Sequence, residues 1–194
     1  MRTAWRRRAS LMILAAGAAV AAASPAAAVE FEKKSWEVGA YLVSTTYDND
    51  STISDTFAWG VRGAFIGTPR HEGEFAFEMQ SADDATKGSD ETFDITKWTI
   101  SYLYNLKSRK PESKLATFVL FGAGTMSYDG KGESDSTTIL QGGGGVRIFF
   151  TKKFGMRLDG KIWHLHGDGT IIPRDGFFAF DATVGVSYLF GGGA

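Results

Sequence analysis

The sequence predicts an all-β protein, an eight-stranded antiparallel up-and-down transmembrane β-barrel. Three observations predict it: apolar and polar residues alternate along the last long segment, similar segments recur before it, and the connections between segments alternate in length and charge. A strand with one apolar face and one small or polar face suits a barrel whose outside meets lipid. Because backbone groups in lipid must be satisfied internally, these strands are expected to close on themselves.

The segment from Gly176 to Phe190 gives the clearest signal. It reads GFFAFDATVGVSYLF, with an apolar residue at every second position from Phe178 onward and small or polar residues at most positions between them. This period of two is that of a β-strand. The aromatic ring at its end is expected at a membrane interface, where such rings are enriched.

The first 28 residues are predicted to be a cleaved secretory signal peptide. Four arginines precede an apolar run from Leu11 to Ala23, and Ala26 to Ala28 provide a small-residue cleavage site. Residues 29–194 are then predicted to form a single barrel domain. Without these four arginines the 21 basic residues become 17, against 22 acidic residues, so the expected net charge is −5. The sequence has no cysteine, which excludes disulfides and thiolate chemistry.

Eight strands are predicted in order along the chain, each long enough to cross a bilayer when tilted. The fifth is apolar on both faces, and the pattern of the fourth shifts between Ile95 and Trp98, where we expect a bulge or the membrane boundary. The predicted strands are residues 35–47, 56–67, 73–82, 92–106, 115–128, 137–150, 153–166 and 176–190.

The second, third and seventh of these strands show the plainest alternation. In the second, Arg62 lies opposite an apolar face of Phe57, Trp59, Val61 and Phe65. In the third, Glu74, Glu78 and Gln80 lie opposite Phe75, Phe77 and Met79. In the seventh, Arg157, Asp159 and Lys161 lie opposite Phe154, Met156, Leu158 and Ile162.

The connections alternate in character. Those after the first, third, fifth and seventh strands are longer and acidic, whereas the others are mostly shorter and basic; His71 lies in one of the basic turns and is expected to be solvated. Outer-membrane barrels have long outer loops and short periplasmic turns, and an even strand number leaves both termini in the periplasm. We therefore predict a bacterial outer-membrane location, with periplasmic termini and four acidic outer loops.

Strand parity places five acidic and five basic residues inside the barrel. An eight-stranded barrel is just wide enough for side chains to fill, and an unpaired buried charge is very costly. The interior is therefore predicted to be a paired ionic network that plugs the barrel. Its members are Glu37, Arg62, Glu74, Glu78, Lys97, Arg147, Arg157, Asp159, Lys161 and Asp181. An aromatic girdle at the membrane interfaces is predicted from Trp36, Trp59, Trp98, Tyr102, Tyr104, Tyr188 and Phe190.

Three stretches resemble the OmpA-like outer-membrane β-barrel family, whose small members have eight strands. Residues Gln141 to Gly160, QGGGGVRIFFTKKFGMRLDG, resemble its sixth-to-seventh strand hairpin with a tight basic turn. Phe118 to Tyr128 resembles the glycine-rich strand before it, and Val184 to Phe190 resembles the closing strand that the assembly machinery reads. The resemblance implies the fold and the outer-membrane location. Because no peptidoglycan-binding domain is seen after the barrel, the wall-anchoring role of larger relatives is not expected.

No catalytic residue, metal or cofactor is predicted. His164 and His166 lie two residues apart, with Asp168 as a possible third ligand, but a polar strand end is the preferred interpretation because metal sites need three or four ligands. A lipid A deacylase would need a nucleophile beside a base, and no serine adjoins these histidines. The acidic loops lack calcium-loop spacing. Gly142 to Gly145 lacks the lysine and helix of a phosphate loop and is interpreted as a closely packed strand.

The predicted function is structural or surface interaction rather than catalysis. The alternative is a narrow channel or transporter for small solutes, and a lipid-modifying enzyme is a further alternative. A secreted lipocalin-like barrel has the same periodicity with its apolar face inward. The expected partners are outer-membrane lipid and lipopolysaccharide, and the barrel assembly machinery during insertion. The protein is expected to be a monomer without a nucleic-acid partner, since no basic patch suits one.

Overall fold

Alternating side chains and a period of two lead the chain to form strands, and eight of them make up the computed structural model. The structure describes residues 34–47, 55–83, 92–106, 114–130, 133–166 and 177–191. Each strand pairs antiparallel with the next, and β8 pairs with β1, so the barrel is closed, as predicted. The strands are β1 (Ser35–Tyr47), β2 (Thr56–Ile66), β3 (His71–Asp83), β4 (Thr92–Leu106), β5 (Leu115–Gly130), β6 (Glu133–Phe149), β7 (Phe154–His166) and β8 (Phe177–Gly191).

The barrel has two rims, which we call the terminal end and the loop end. At the terminal end Ser35 of β1 pairs with Gly191 of β8, and the loop end is the opposite rim. Following paired residues from Ser35 through every strand in turn leads back to β1 at Thr45, ten residues further along. This stagger corresponds to a strand tilt of about 40° and to an interior that side chains can fill. None of the described residues forms a helix with the length and apolar character of a membrane span.

Inner and outer side chains alternate along the strands. On β8, Val184, Val186 and Tyr188 are 42–49% exposed, whereas their neighbours Thr183 and Ser187 are buried. Apolar side chains dominate the outer face, and the buried charged residues all lie on the inner face. This is the arrangement of a membrane barrel and the reverse of the lipocalin-like alternative.

We expected either a bulge or the membrane boundary in β4, and the bulge is absent. β4 pairs without interruption with β3 and β5 around this point, so the parity does not change. Ile95 faces inward on the same side as Lys97, whereas Trp98 faces outward. The shift in the pattern arises because the inner face itself becomes apolar toward the loop end.

β5 also resolves into two faces. Phe118 and Leu120 are buried inside, whereas Phe121 is 67% exposed on the outside. The ring of Phe118 fits inside the barrel because β6 has a glycine opposite it. A Cβ added at Gly145 would lie 2.7 Å from Phe118 Cζ and 2.2 Å from the Leu158 carbonyl oxygen. The glycine run of β6 thus allows close packing inside the barrel, as the sequence indicated.

Candidate functional site inside the barrel

The structure places all ten charged residues predicted for the interior in buried positions. An eleventh, Glu72, is buried with them at 2% exposure. Sequence reasoning missed Glu72 because it began the third strand at residue 73, whereas β3 begins at His71. Extending the parity of Glu74 and Glu78 by one more step would have found it. The described interior therefore holds six acidic and five basic side chains.

The first of three ionic groups lies near the terminal end, around Arg147 of β6. Its Nη2 donates to Glu72 Oε1 at 2.6 Å and its Nη1 donates to Asn105 Oδ1 at 2.8 Å. Its Nε lies 2.9 Å from Glu37 Oε2. Asn105 in turn donates to the other oxygen of Glu72 at 3.3 Å. Arg147 thereby joins β6 to β1, β3 and β4 across the lumen.

The second group surrounds Asp159 of β7. Arg157 Nε donates to Asp159 Oδ1 at 2.8 Å, and Arg62 Nη1 donates to Asp159 Oδ2 at 2.7 Å. Arg157 also forms a two-point contact with the Glu74 carboxylate through both of its terminal nitrogens. A bidentate guanidinium–carboxylate pair fixes orientation as well as charge. Two guanidinium groups and two carboxylates therefore neutralise each other here.

The third group lies toward the loop end and pairs two lysines with two carboxylates. Lys97 contacts both Glu78 and Asp181, the latter at 2.7 Å. Lys161 lies 2.9 Å from Glu78 Oε1 and 3.7 Å from Asp181 Oδ2. The Tyr41 hydroxyl donates to Glu78 Oε1 at 3.0 Å. Because all four charged side chains are at least 93% buried, none is available to bulk solvent.

Aromatic rings fill space beside these groups. The guanidinium carbons of Arg147 and Arg157 lie 4.6 and 4.3 Å from the centroid of the Phe118 ring. The guanidinium carbon of Arg62 lies 4.7 Å from the Tyr41 ring. Such cation–π contacts are strongest where the cation is desolvated. The interior is therefore packed with side chains around the ion pairs.

Apolar layers, which the alternation of residues did not predict, lie at both ends of the ionic interior. Near the terminal end, Ile66, Phe149 and Leu189 form a buried cluster with Ala116 packed against it. The larger cluster near the loop end consists of Tyr47, Ala82, Ile95, Met126, Tyr128, Ile139, Trp163, Leu165 and Ala179. These residues were missed because both faces of the strand are apolar there, so the sequence shows no alternation that would assign them to the inside. Along the barrel axis, the ionic groups therefore lie between these two apolar clusters.

The aromatic residues predicted as a girdle all lie on the outer face. Trp36 pairs with Phe190 next to the β1–β8 closure, and Tyr188 precedes it on β8. Tyr102 and Tyr104 lie near the same rim, at the end of β4, where they pair with Gly73 and His71 of β3. Trp59 and Trp98 lie in the half of the barrel nearer to the loop end.

Each of the two histidine side chains that the structure describes, His71 and His164, contacts an aromatic ring. His164 packs its ring on Phe178 with centroids 4.7 Å apart, while the side chain of His166 and all of Asp168 lie outside the described residues. Within the described strands and turns, no group of three or more potential ligands is arranged to hold a metal ion. His71 is the first residue of β3 rather than part of the turn, and it contacts Tyr102 and Tyr104.

A closed antiparallel barrel with an apolar, aromatic-rich outside and a charged, filled inside defines an integral membrane β-barrel protein. The sequence matches the family described as outer membrane protein beta-barrel domain over residues 12–190. The chain therefore belongs to this family of outer-membrane β-barrels, and its location is the bacterial outer membrane. The predicted resemblance to small eight-stranded barrels is confirmed.

Solved structures share the fold at low sequence identity. Neisserial surface protein A superposes with a TM-score of 0.59 at 13% identity, covering 80% of this chain and 97% of that chain. The N-terminal barrel of OprF from Pseudomonas aeruginosa gives 0.55 at 14% identity, covering 82% and 100%. Ail of Yersinia pestis, the attachment invasion locus protein, in complex with the heparin analogue sucrose octasulfate gives 0.51 at 14%, covering 82% and 100%. No curated protein matches the sequence.

Proposed function

We propose that the protein is a closed, non-conducting barrel of the outer membrane, with a structural or surface-interaction role carried by its loop end. The single observation that supports this most strongly is the filled interior, in which three ionic groups lie between two apolar clusters. Opening a path for ions would require separating buried pairs, and a buried charge that loses its partner costs about 3–5 kcal/mol.

Planar-bilayer recording tests this proposal. The purified protein should give no single-channel steps, and neither should Trp59→Ala, which removes an outward ring. Trp163→Ala removes the largest ring of the loop-end layer, where Trp163 is 1% exposed. A steady, uniform conductance in the unmodified protein that changes with Trp163→Ala but not with Trp59→Ala would overturn the closed barrel.

We also propose that the terminal end faces the periplasm. The described turns there carry Arg70, Lys114, Lys152 and Lys153, in keeping with basic periplasmic turns. Because the chain has no cysteine, single cysteines can report the topology. An impermeant maleimide should label Asp83→Cys at the loop end on intact cells and should leave Lys152→Cys unlabelled. The reverse labelling would mean that the barrel is inverted.

The surface role is proposed for the loop end because the connections there carry acidic residues in the sequence. Neisserial surface protein A and the attachment protein Ail are named for roles of this class, but their identity to this chain supports the fold alone. We propose a monomer that contacts lipid and lipopolysaccharide and is inserted by the barrel assembly machinery. Replacing the acidic loop residues by their amides should change cell-surface binding without changing the melting temperature of the barrel.

One observation favours the second candidate, a narrow channel. Arg62 Nε and Nη2 and Thr183 Oγ1 are buried and have no hydrogen-bond partner among the described residues. Buried polar groups of this kind commonly bind water. The bilayer recording separates the two candidates, because a hydrated path would conduct. We propose no enzymatic role, and unchanged lipid A in cells that overexpress the protein is the expected result.

A further inference from the structure

A polar cluster lies outside the barrel at the β2–β3 turn of the terminal end. Arg70 Nη1 donates to the Tyr104 hydroxyl at 3.3 Å. The Nδ1 atom of His71 is hydrogen-bonded to the Tyr102 hydroxyl, and the His71 ring lies 5.6 Å from the Tyr104 ring. All of these hydrogen bonds are exposed. The cluster is therefore accessible from the surface that surrounds the barrel.

The turn fixes the position of this cluster. Thr68 Oγ1 accepts hydrogen bonds from the backbone N–H groups of Arg70 at 3.3 Å and His71 at 3.1 Å. The Arg70 carbonyl oxygen accepts from the Asn105 N–H at 2.8 Å. Among the described residues, Arg70 forms no ion pair, so its guanidinium keeps donors for a ligand. An anchored arginine with unused donors is suited to a planar or tetrahedral oxyanion.

A gap in the apolar surface begins beside the cluster. Gly73 and Gly63 face outward, and a Cβ added at either would meet no atom within 4 Å. Gly73 pairs with Phe65 on one side and Tyr102 on the other, and Gly63 pairs with Phe75. These three aromatic side chains are 40–50% exposed. The two glycines therefore leave an open, aromatic-walled notch on the outer face, two residues along β3 from His71.

We propose that this surface binds one glycerophospholipid of the periplasmic leaflet. Arg70, His71 and Tyr104 bind its phosphate, and one acyl chain lies over Gly73 and Gly63. The positive charge of Arg70 favours a phosphate, and the notch favours a phosphate that carries an acyl chain. The inference is independent of whether the lumen conducts, and it rests on the proposed orientation only for the choice of leaflet.

The test is native mass spectrometry of the purified protein in detergent, titrated with phosphatidylglycerol. Arg70→Ala should weaken binding of the first lipid about threefold to tenfold, since it removes a charge-assisted contact at an exposed site. Tyr104→Phe removes one hydroxyl and should weaken binding less. Gly73→Leu fills the notch and should also weaken binding, although every phosphate contact remains.

Lys152→Ala is the matched control, because it removes a cation from another turn of the same rim. It should leave the first lipid bound as in the unmodified protein. Equal loss with Lys152→Ala and Arg70→Ala would mean only diffuse attraction to the basic rim and would overturn the proposal. Unchanged lipid binding by the Arg70→Ala variant would also overturn the proposal, provided that heat-dependent gel mobility shows that the variant is folded.

Two further probes separate the sources of the phosphate. Inorganic phosphate should compete only weakly with phosphatidylglycerol. If phosphate displaced the lipid at equal concentration, this result would contradict a lipid site. Lipid A should bind with no dependence on Gly73→Leu. If lipid A instead binds more tightly than phosphatidylglycerol in an Arg70-dependent way, the surface recognises the other leaflet and the proposal fails.

Discussion

The pair formed by Arg157 and Glu74 provides the sharpest test of whether the charged interior is closed to bulk solvent. Arg157 is 0% exposed, and it is the only charged partner that the described residues give Glu74. Replacing Arg157 with methionine leaves Glu74 buried without a partner, whereas Asp159 keeps Arg62 at 2.7 Å. Breaking a buried pair in this way costs about 3–5 kcal/mol, so Arg157→Met should lower the free energy of unfolding by about that amount.

The double variant Arg157→Met/Glu74→Leu removes both charges and should return to within about 1 kcal/mol of the unmodified protein, because apolar replacement of a buried pair is often neutral. Glu74→Leu alone should cost about 1–3 kcal/mol, because Arg157 keeps Asp159. The double-mutant cycle should then give a coupling energy above about 2 kcal/mol.

The assay is reversible urea unfolding in detergent micelles, followed by tryptophan fluorescence, with Lys152→Met as a surface control that should change stability by less than about 0.5 kcal/mol. Equal slopes of unfolding free energy against urea would show that the variants unfold from a similar structure. If Arg157→Met cost less than about 1 kcal/mol, the pair would behave as a solvated one, and the sealed interior would be refuted.

Three further changes probe the outer face, the glycine run and the loop-end layer. Ile100→Arg, on the outer face in the middle of β4, should lower the free energy of unfolding in a bilayer by about 2–4 kcal/mol. Leu106→Arg, at the rim of the same strand, should lower it by only about 0–1 kcal/mol. Equal losses for the two variants in urea unfolding would argue that this face is not in lipid. Gly145→Ala places a Cβ 2.2 Å from the Leu158 carbonyl oxygen. In urea unfolding it should lower the free energy of unfolding by about 1–3 kcal/mol. An unchanged free energy would indicate that β6 and β7 separate easily. Trp163→Ala should cost about 3–5 kcal/mol, and a change under 1 kcal/mol would mean that the layer is loosely packed.

The fold could be predicted because its governing rule is local. Inward and outward side chains alternate every two residues, so Arg62 or Val186 reveals its face from its neighbours alone. The strand number, nearly all strand bounds to within two residues and ten of the eleven buried charges followed from that rule, whereas the start of β6 lies at Glu133 and not at residue 137. The same rule failed where both faces are apolar, as at Ile95 and Phe118, because hydrophobicity then carries no information about direction. Only the pairing of the neighbouring strands assigns those side chains to the inside.

The partners within the interior could not be predicted in the same way. Parity places Arg147 and Glu37 in the lumen, but which charges meet depends on the stagger between strands that are far apart in sequence. A shift of two residues in one strand preserves every face assignment but changes the partners of each charge on that strand. The sequence therefore predicted that the charges would be paired and left the pairing to the ten-residue stagger of the closed barrel.

The pairing itself explains why the interior is ionic rather than apolar. Backbone hydrogen bonds join only adjacent strands, and they would be satisfied equally well in a slipped register. Most of the ion pairs instead join strands that are not neighbours, among them Arg62 of β2 with Asp159 of β7, Lys97 of β4 with Asp181 of β8, and Arg157 of β7 with Glu74 of β3. A one-residue slip would turn such charges into lipid, at about 2–4 kcal/mol for each arginine or lysine near the midplane. A two-residue slip would keep them inside but separate them from their partners. An apolar interior would tolerate the second slip, so the charges select one stagger of the barrel over its alternatives.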